Sequence, residues 1–274
     1  DPEMSRGLGD VYKRQDIDCM GYSLLKKSFC IVSQIMLQSN KKLWEAPDMP
    51  IRALLMDIDD TLFDFQTSSR NALSIAFRAF GLPFTPEMWE RYRALDAELW
   101  QRFERGEITK EALYVERFRV FFAEYGLEAD PAAFNAAYFR ELGDQCNFMP
   151  HCEQALRQLH AQYKIFIVTN GNTEIQTRRI AASGMAQYFD RVFISEQMGC
   201  KKPDKLFYDK VFAEIGEDYR AQSIMIGDSL SSDMQGGRNA GIPTCLYGRT
   251  EPISPLCDYA VADLLELPAL LAPL

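Results

Sequence analysis

Residues 51 to 64 read IRALLMDIDDTLFD: from Ile51 to Met56 only Arg52 is polar, and three acids, Asp57, Asp59 and Asp60, follow. An apolar run of that form predicts a strand covered on both faces, as in a parallel sheet. Four later runs share the form: residues 164–168, ending at Thr169-Asn170-Gly171; residues 191–195; residues 223–226, running into Gly227-Asp228-Ser229; and residues 243–247. Between the first two the spacing turns helical. Leu73, Ala76, Phe77 and Phe80 mark one helix, capped by Thr67 or Ser68 and closed by Gly81. Thr85-Pro86-Glu87 opens a second, with the stripe Met88, Tyr92, Leu95, Leu99 and Phe103. Thr109 opens a third that stops at Gly126, and Asp130-Pro131 a fourth that ends near Gly143.

A crossover between parallel strands needs one helix, and about four stand here. The excess predicts a separate α-helical subdomain over residues 66–149, inserted into a core built from 49–65 and 150–274. In that core helices are expected over 153–160, around Ile175 and Ile180, after Lys201-Lys202-Pro203-Asp204, and over 262–271. Strands alternating with helices predict an α/β fold, a doubly wound parallel sheet.

Residues 1–48 fall outside this pattern. The apolar stretch from Leu24 to Leu37 is broken by Lys26, Lys27, Ser28, Ser33 and Gln34, and no small-residue cleavage site follows, which argues against a signal peptide. Asp10 to Gln15, DVYKRQ, resembles the in-frame translation of a transposon end used in sequencing libraries. Codons for Trp44-Glu45-Ala46 can hold a ribosome-binding site just upstream of Met49. The stretch is therefore expected to be a non-native extension or a disordered tail, and a chain beginning at Met49 is expected to fold and be active.

The formal charge of −9, with no long basic cluster, argues against binding a nucleic acid polymer or an anionic membrane. No apolar run approaches the length of a membrane span. Seven scattered cysteines without a CxxC pair fit a reducing, cytoplasmic compartment. Cys146 and Cys200 carry no mark of activation. With His151 and His160 the only histidines, a zinc site or histidine triad has little to work with, and His151 reads as a cap or surface residue. Chemistry must rest on carboxylates.

Three predicted strands end in Asp57, Thr169 and Asp228, and a parallel sheet puts those ends along one edge, where ligands bind. An unpaired buried carboxylate costs several kcal/mol, so the acids imply solvent, a cation, or both. Each motif alone has a plain reading: Asp60 and Asp64 as turn and helix caps, Thr169-Asn170-Gly171 as a turn, Lys202 as a surface lysine, Gly227-Asp228 as a strand exit. In order, however, Asp57-x-Asp59-x-Thr61-Leu62, Thr169, Lys202-Pro203 and Asp228 with Asp233 resemble the four motifs of the haloacid dehalogenase-like hydrolases, over about residues 50–270.

That resemblance implies a Rossmann-like core whose helical insert is a cap closing over the active site, and hydrolysis of phosphomonoesters with Mg²⁺. Asp57 would be the nucleophile, forming an aspartyl-phosphate, and Asp59 the acid and base. Thr169 and the N–H groups around Asn170 and Gly171 would bind the phosphoryl oxygens. Lys202 would hold Asp57 and neutralise charge, with Lys201 the competing assignment. Asp57, Asp228, the backbone carbonyl of Asp59, and Asp233 as a ligand or just behind one, would hold the cation.

Asp57 to Asp64, the stretch from Asp96 to Gly106 with Leu99-Trp100, Thr169-Asn170-Gly171 and Ile194-Ser195-Glu196 are further similar to bacterial noncanonical pyrimidine 5′-nucleotidases. A pyrimidine nucleoside monophosphate is then the expected substrate. The alternatives are a sugar-phosphate or other small-metabolite phosphatase, a phosphomutase, and a non-catalytic binding protein on the same fold. Trp89, Tyr92, Trp100 and Tyr114 either stack a base or pack the helical core.

Overall fold

The apolar run after Ile51 forms β1 (Ala53–Met56), buried along its whole length. In the computed structural model, which describes residues 50–274, β1 lies between β2 (Lys164–Thr169) and β4 (Ser223–Gly227). Leu54 sits opposite Ile165 on one side and Ile224 on the other. The expectations for residues 1–48 and for Met49 lie outside the described residues.

With β3 (Arg191–Ile194), β5 (Thr244–Tyr247) and β6 (Tyr259–Val261), the strands make one six-stranded sheet in the order β3-β2-β1-β4-β5-β6, every pair parallel. This is the doubly wound arrangement predicted from the pattern. Strand order reverses beside β1, between β1 and β4, which opens a crevice at their carboxyl ends. β6 was not expected, because three residues at a sheet edge leave too short a run to read.

Four helices lie between β1 and β2: α1 (Phe65–Ala79), α2 (Pro86–Glu104), α3 (Lys110–Tyr125) and α4 (Pro131–Leu142). Thr85, Thr109 and Asp130 cap α2, α3 and α4 through their side chains. The cap of α1 is neither Thr67 nor Ser68 but the other residue the sequence offered as a helix cap. Asp64 takes that place, its two oxygens accepting from Thr67 N at 2.8 Å and Thr67 Oγ1 at 2.6 Å, since a carboxylate meets two donors where a hydroxyl meets one. The four helices share a core of their own around Phe77, Phe118, Phe121, Phe134 and Tyr138. Phe77 and Phe118 each place their ring centroids 4.8 Å from that of Phe134. Truncating such a ring to alanine costs about 3–5 kcal/mol.

The remaining helices, α5 (Cys152–His160), α6 (Thr173–Ser183), α7 (Ser195–Met198), α8 (Lys205–Ile215), α9 (Gln235–Ala240) and α10 (Leu267–Leu271), flank the sheet. Alternation along β1 splits the core in two. Leu54 and Met56 join Leu156, Leu159 and Leu267, while Ala53 and Leu55 join Phe207, Val211 and Phe212. The closing helix is shorter than predicted, a 3₁₀ turn over Leu264–Glu266 preceding α10. After β4 a single π-helical turn, Leu230–Met234, carries Asp233 back toward the strand end.

The chain leaves the sheet and returns along paired backbones. Asp64 N donates to Asn147 O at 3.0 Å and Met149 N to Leu62 O at 2.9 Å. Among the described residues no helix is long and apolar enough to cross a membrane, and the described cysteines are all free thiols.

Candidate active site

Asp57 follows β1 directly, and its N–H donates to Ile226 O at 2.9 Å, which ties the turn to the neighbouring strand. Asp228 follows β4, so the two carboxylates flank the point where strand order reverses. With Asp233 they form a cluster whose oxygens approach one another within 4.8 Å. Gly227 permits this, because a Cβ there would collide with Asp233 Oδ2. Asp233 Oδ2 accepts from Ser229 N at 3.2 Å.

Lys202, reached from β3 through α7, inserts into the cluster. Its Nζ donates to Asp57 Oδ1 at 2.6 Å and to Asp233 Oδ1 at 2.7 Å. Lys201 points elsewhere, donating to the carbonyls of Phe103 at 2.8 Å and Glu104 at 2.7 Å at the end of α2. Asn170 fixes the lysine loop: its Nδ2 donates to Lys202 O at 2.9 Å while its Oδ1 accepts from Lys202 N at 3.0 Å.

The electrostatics follow from burial. Burial raises the Asp57 carboxyl well above its ordinary range, Asp233, Asp228 and Asp59 push the same way, and Lys202 opposes them. Asp228 opens to the cavity yet has protein packed closely about it. Burial first, then Asp233 and Asp60, lift it to about 8 against the pull of Lys202. For Lys202, burial disfavours the charge, but Asp233 and Asp57 outweigh it and keep the ammonium protonated. Three acids against one ammonium leave room for a divalent cation, and carboxylate oxygens suit a hard one. Asp57, Asp228 and Asp233 would hold it.

Thr169 ends β2. Its Oγ1 accepts from Gly171 N at 3.0 Å and from Gln176 Nε2 at 3.1 Å, which leaves its own hydrogen to donate to an anion. The Gly171 N–H expected for phosphate is thus engaged within the turn. Asp59 does not join the carboxylate cluster: its Oδ1 accepts from Arg179 Nη1 at 2.5 Å and its Oδ2 from Gln176 Nε2 at 2.6 Å, both from α6. Asp60 has φ 57° and caps the turn as expected, accepting from Phe65 N at 3.0 Å and Gln66 Nε2 at 2.6 Å. His151 stands at the N-terminus of α5 without capping it, its Nδ1 lying 2.7 Å from Asp263 Oδ2.

Sequence reasoning missed Arg179, Gln176 and Lys110. Ile175, Gln176, Arg179 and Ile180 are all buried, so two polar residues stand on the buried face of α6, which the sequence pattern alone did not signal. Lys110, buried at the start of α3, donates to Gly171 O at 3.0 Å and Ser195 Oγ at 3.1 Å. It also lies 3.2 Å from Glu196 Oε1. A cavity of about 350 Å³ spans the two halves, with Asp57, Thr169, Lys202 and Asp228 on the sheet side and Trp89, Tyr92, Trp100 and Tyr114 on the helical side. Trp89 and Tyr92 are themselves buried in the helical core, as the packing reading expects, and also border the cavity.

Carboxylates gathered by a lysine at the switch point of a parallel sheet make a site suited to a hard cation and an anionic ligand. Residues 51–241 match the model of the haloacid dehalogenase-like hydrolases, and the chain belongs to that family. It is 37% identical over 195 residues to the pyrimidine 5′-nucleotidase PynA of Streptococcus pneumoniae (strain ATCC BAA-255 / R6), covering 71% of this chain and 82% of that protein. It is 33% identical over 221 residues to the pyrimidine 5′-nucleotidase YjjG of Escherichia coli (strain K12), covering 80% and 96%. Among solved structures, the HAD-hydrolase YfnB of Bacillus subtilis bound to magnesium superposes with TM-score 0.77 at 33% identity, covering 81% of this chain and 99% of that one.

Proposed function

We propose that this hydrolase removes phosphate from pyrimidine nucleoside 5′-monophosphates with Mg²⁺, through an aspartyl-phosphate on Asp57. The observation that carries the reading is the Asp57–Lys202–Asp228–Asp233 cluster under an aromatic-walled cavity. The names of PynA and YjjG support the substrate class. In this reading residues 66–149 are a cap that closes over the site. The bonds from Lys201 and Lys110 between the helical block and the loops of the sheet, and from Ser231 Oγ to Glu104 Oε2 at 2.6 Å, are what would hold it shut.

Asp57 attacks phosphorus in line while Thr169 and Lys202 hold the phosphoryl oxygens, so the new P–O bond forms as the ester bond breaks. Asp59 gives its proton to the leaving ribose oxygen. It then takes one from the water whose oxygen displaces the Asp57 carboxylate, and free phosphate leaves. Bound Mg²⁺ supplies positive charge that lets a carboxylate approach a phosphate. The expected compartment is a reducing one.

The substrate test is phosphate release from a panel of nucleotides and sugar phosphates with Mg²⁺. Uridine and thymidine monophosphates are expected to lead it; a lead by sugar phosphates would refute the substrate class and leave the mechanism standing.

A second expectation concerns pH. Asp57 and Asp228 have folded-state pKa values above their unfolded ones, so at these two sites the metal-free fold binds more protons than the unfolded chain. Their contribution to stability falls as pH rises from about 4, the unfolded value, towards the raised folded values, about 8 for Asp228. Mg²⁺ neutralises the same carboxylates, so the rise in Tm it produces over EDTA should be larger at pH 8 than at pH 5.5. An equal rise at both would contradict the assigned ligands.

A further inference from the structure

The proposed proton carrier is held by both oxygens. Arg179 Nη1 donates to Asp59 Oδ1 at 2.5 Å and Gln176 Nε2 to Oδ2 at 2.6 Å. Arg179 is wholly buried, and a buried ion pair is often no more stable than an apolar replacement, so stability alone does not account for it. Its remaining contacts reach the two connections between sheet and helices. Nε donates to Gln145 O at 3.2 Å on the returning chain, and the guanidinium carbon lies 5.1 Å from the Phe63 ring and 5.9 Å from the Phe65 ring on the departing one. Gln176 Oε1 accepts from Arg179 Nη1 at 3.2 Å, so the two side chains orient each other. Gln176 Nε2 also reaches Thr169 Oγ1, which keys the carboxylate to the proposed phosphate-binding hydroxyl.

We infer that Arg179 is a positioning residue that, with Gln176, fixes the Asp59 carboxylate toward the leaving oxygen and ties that orientation to the paired connections of the helical block. The inference rests on the reading of Asp59 as the acid and base. Nothing in it requires Arg179 to touch substrate.

Leaving-group chemistry separates positioning from plain structure. A p-nitrophenolate departs near neutral pH without a proton, whereas a ribose alkoxide departs only as one is delivered. Formation of the Asp57–phosphorus bond from p-nitrophenyl phosphate is therefore insensitive to Asp59, and the same step from a nucleoside monophosphate is not. In stopped-flow and quench measurements, Arg179→Met should keep the first-turnover rate of p-nitrophenol release within about threefold of the parent. Its kcat on uridine monophosphate should fall about a hundredfold with KM nearly unchanged. Arg179→Lys should recover part of that loss, and guanidinium ion should partly restore Arg179→Ala. Equal slowing of both substrates by Arg179→Met would overturn the inference and leave the residue structural. Should Arg179→Met fail to fold, Gln176→Leu, which keeps the guanidinium, must show the same split between substrates or the inference falls. Asp59→Asn run alongside separates the two levels. If it shows the split and the Arg179 and Gln176 variants do not, positioning is wrong and the acid/base reading stands; if it shows no split, that reading fails and the inference with it.

Discussion

Asp57→Asn is expected to abolish turnover of every phosphomonoester, by a factor on the order of 10⁴ or more, while raising the melting temperature of the metal-free protein. The two effects share one cause. Asp57 is buried beside Asp228 and Asp233, and its charge is held there by Lys202 at 2.6 Å. An amide of the same shape removes the nucleophile, since a neutral oxygen does not displace an alkoxide from phosphorus. It also removes one of three crowded carboxyls whose ionisation burial disfavours, and leaves Lys202 paired with Asp233 at 2.7 Å. Relief of about 1 kcal/mol corresponds to a rise of roughly 2–4 °C in a domain of this size. Added Mg²⁺ should then stabilise the variant less than the parent, because one of its ligands is gone. Differential scanning fluorimetry in EDTA and in Mg²⁺, beside a phosphate-release assay, reads all three effects. Retained activity would remove Asp57 from the mechanism.

Lys202→Met should be costly to fold as well as inactive. The ammonium is buried and makes ion pairs with two carboxylates that are themselves buried. Methionine fills much the same volume but leaves Asp57 and Asp233 uncompensated, and breaking a buried pair in this way costs about 3–5 kcal/mol. Against a total stability of about 5–15 kcal/mol that is a large share. The loss should be pH-dependent. Without Lys202 the buried Asp57 carboxyl takes up a proton more readily, so the variant should regain stability relative to the parent as pH falls from 8 to 5.5. Lys201→Met offers the contrast. Lys201 holds the carbonyls at the end of α2 and lies over the Phe103 ring, so its loss should leave Asp57 and the carboxylate cluster intact. If Lys202→Met melted with the parent at pH 8, the buried ion-pair account of the site would be wrong.

What could be read from sequence divides along a physical line. Asp57, Thr169 and Asp228 were legible because each directly ends or follows a buried apolar run, and strand ends in a parallel sheet share an edge. Lys202 and Asp233 were legible only in company with those ends; alone, a lysine before proline or an aspartate on a turn says little. Arg179 and Gln176 were not legible. A helical pattern read in one dimension assigns polar positions to solvent, and only the packing of α6 against the Asp59 turn turns them inward. Lys110 escaped for the same reason, an ordinary helix lysine until its carbonyl partner after β2 is known, whereas Lys201 was weighed only as the alternative to Lys202. The four inserted helices were readable from caps and glycine stops, with Asp64 among the caps, whereas the three-residue β6 is too short for periodicity to encode.

The central claim is a covalent phosphoryl-enzyme on Asp57. The most direct measurement is acid quench of a single turnover with uridine monophosphate labelled at phosphorus, followed by mapping of the labelled peptide. The label should appear, hydroxylamine-labile, on the peptide that carries Asp57, and be lost in Asp57→Asn. Phosphate release at full rate with no labelled peptide at any quench time would contradict the claim and point instead to direct attack by water.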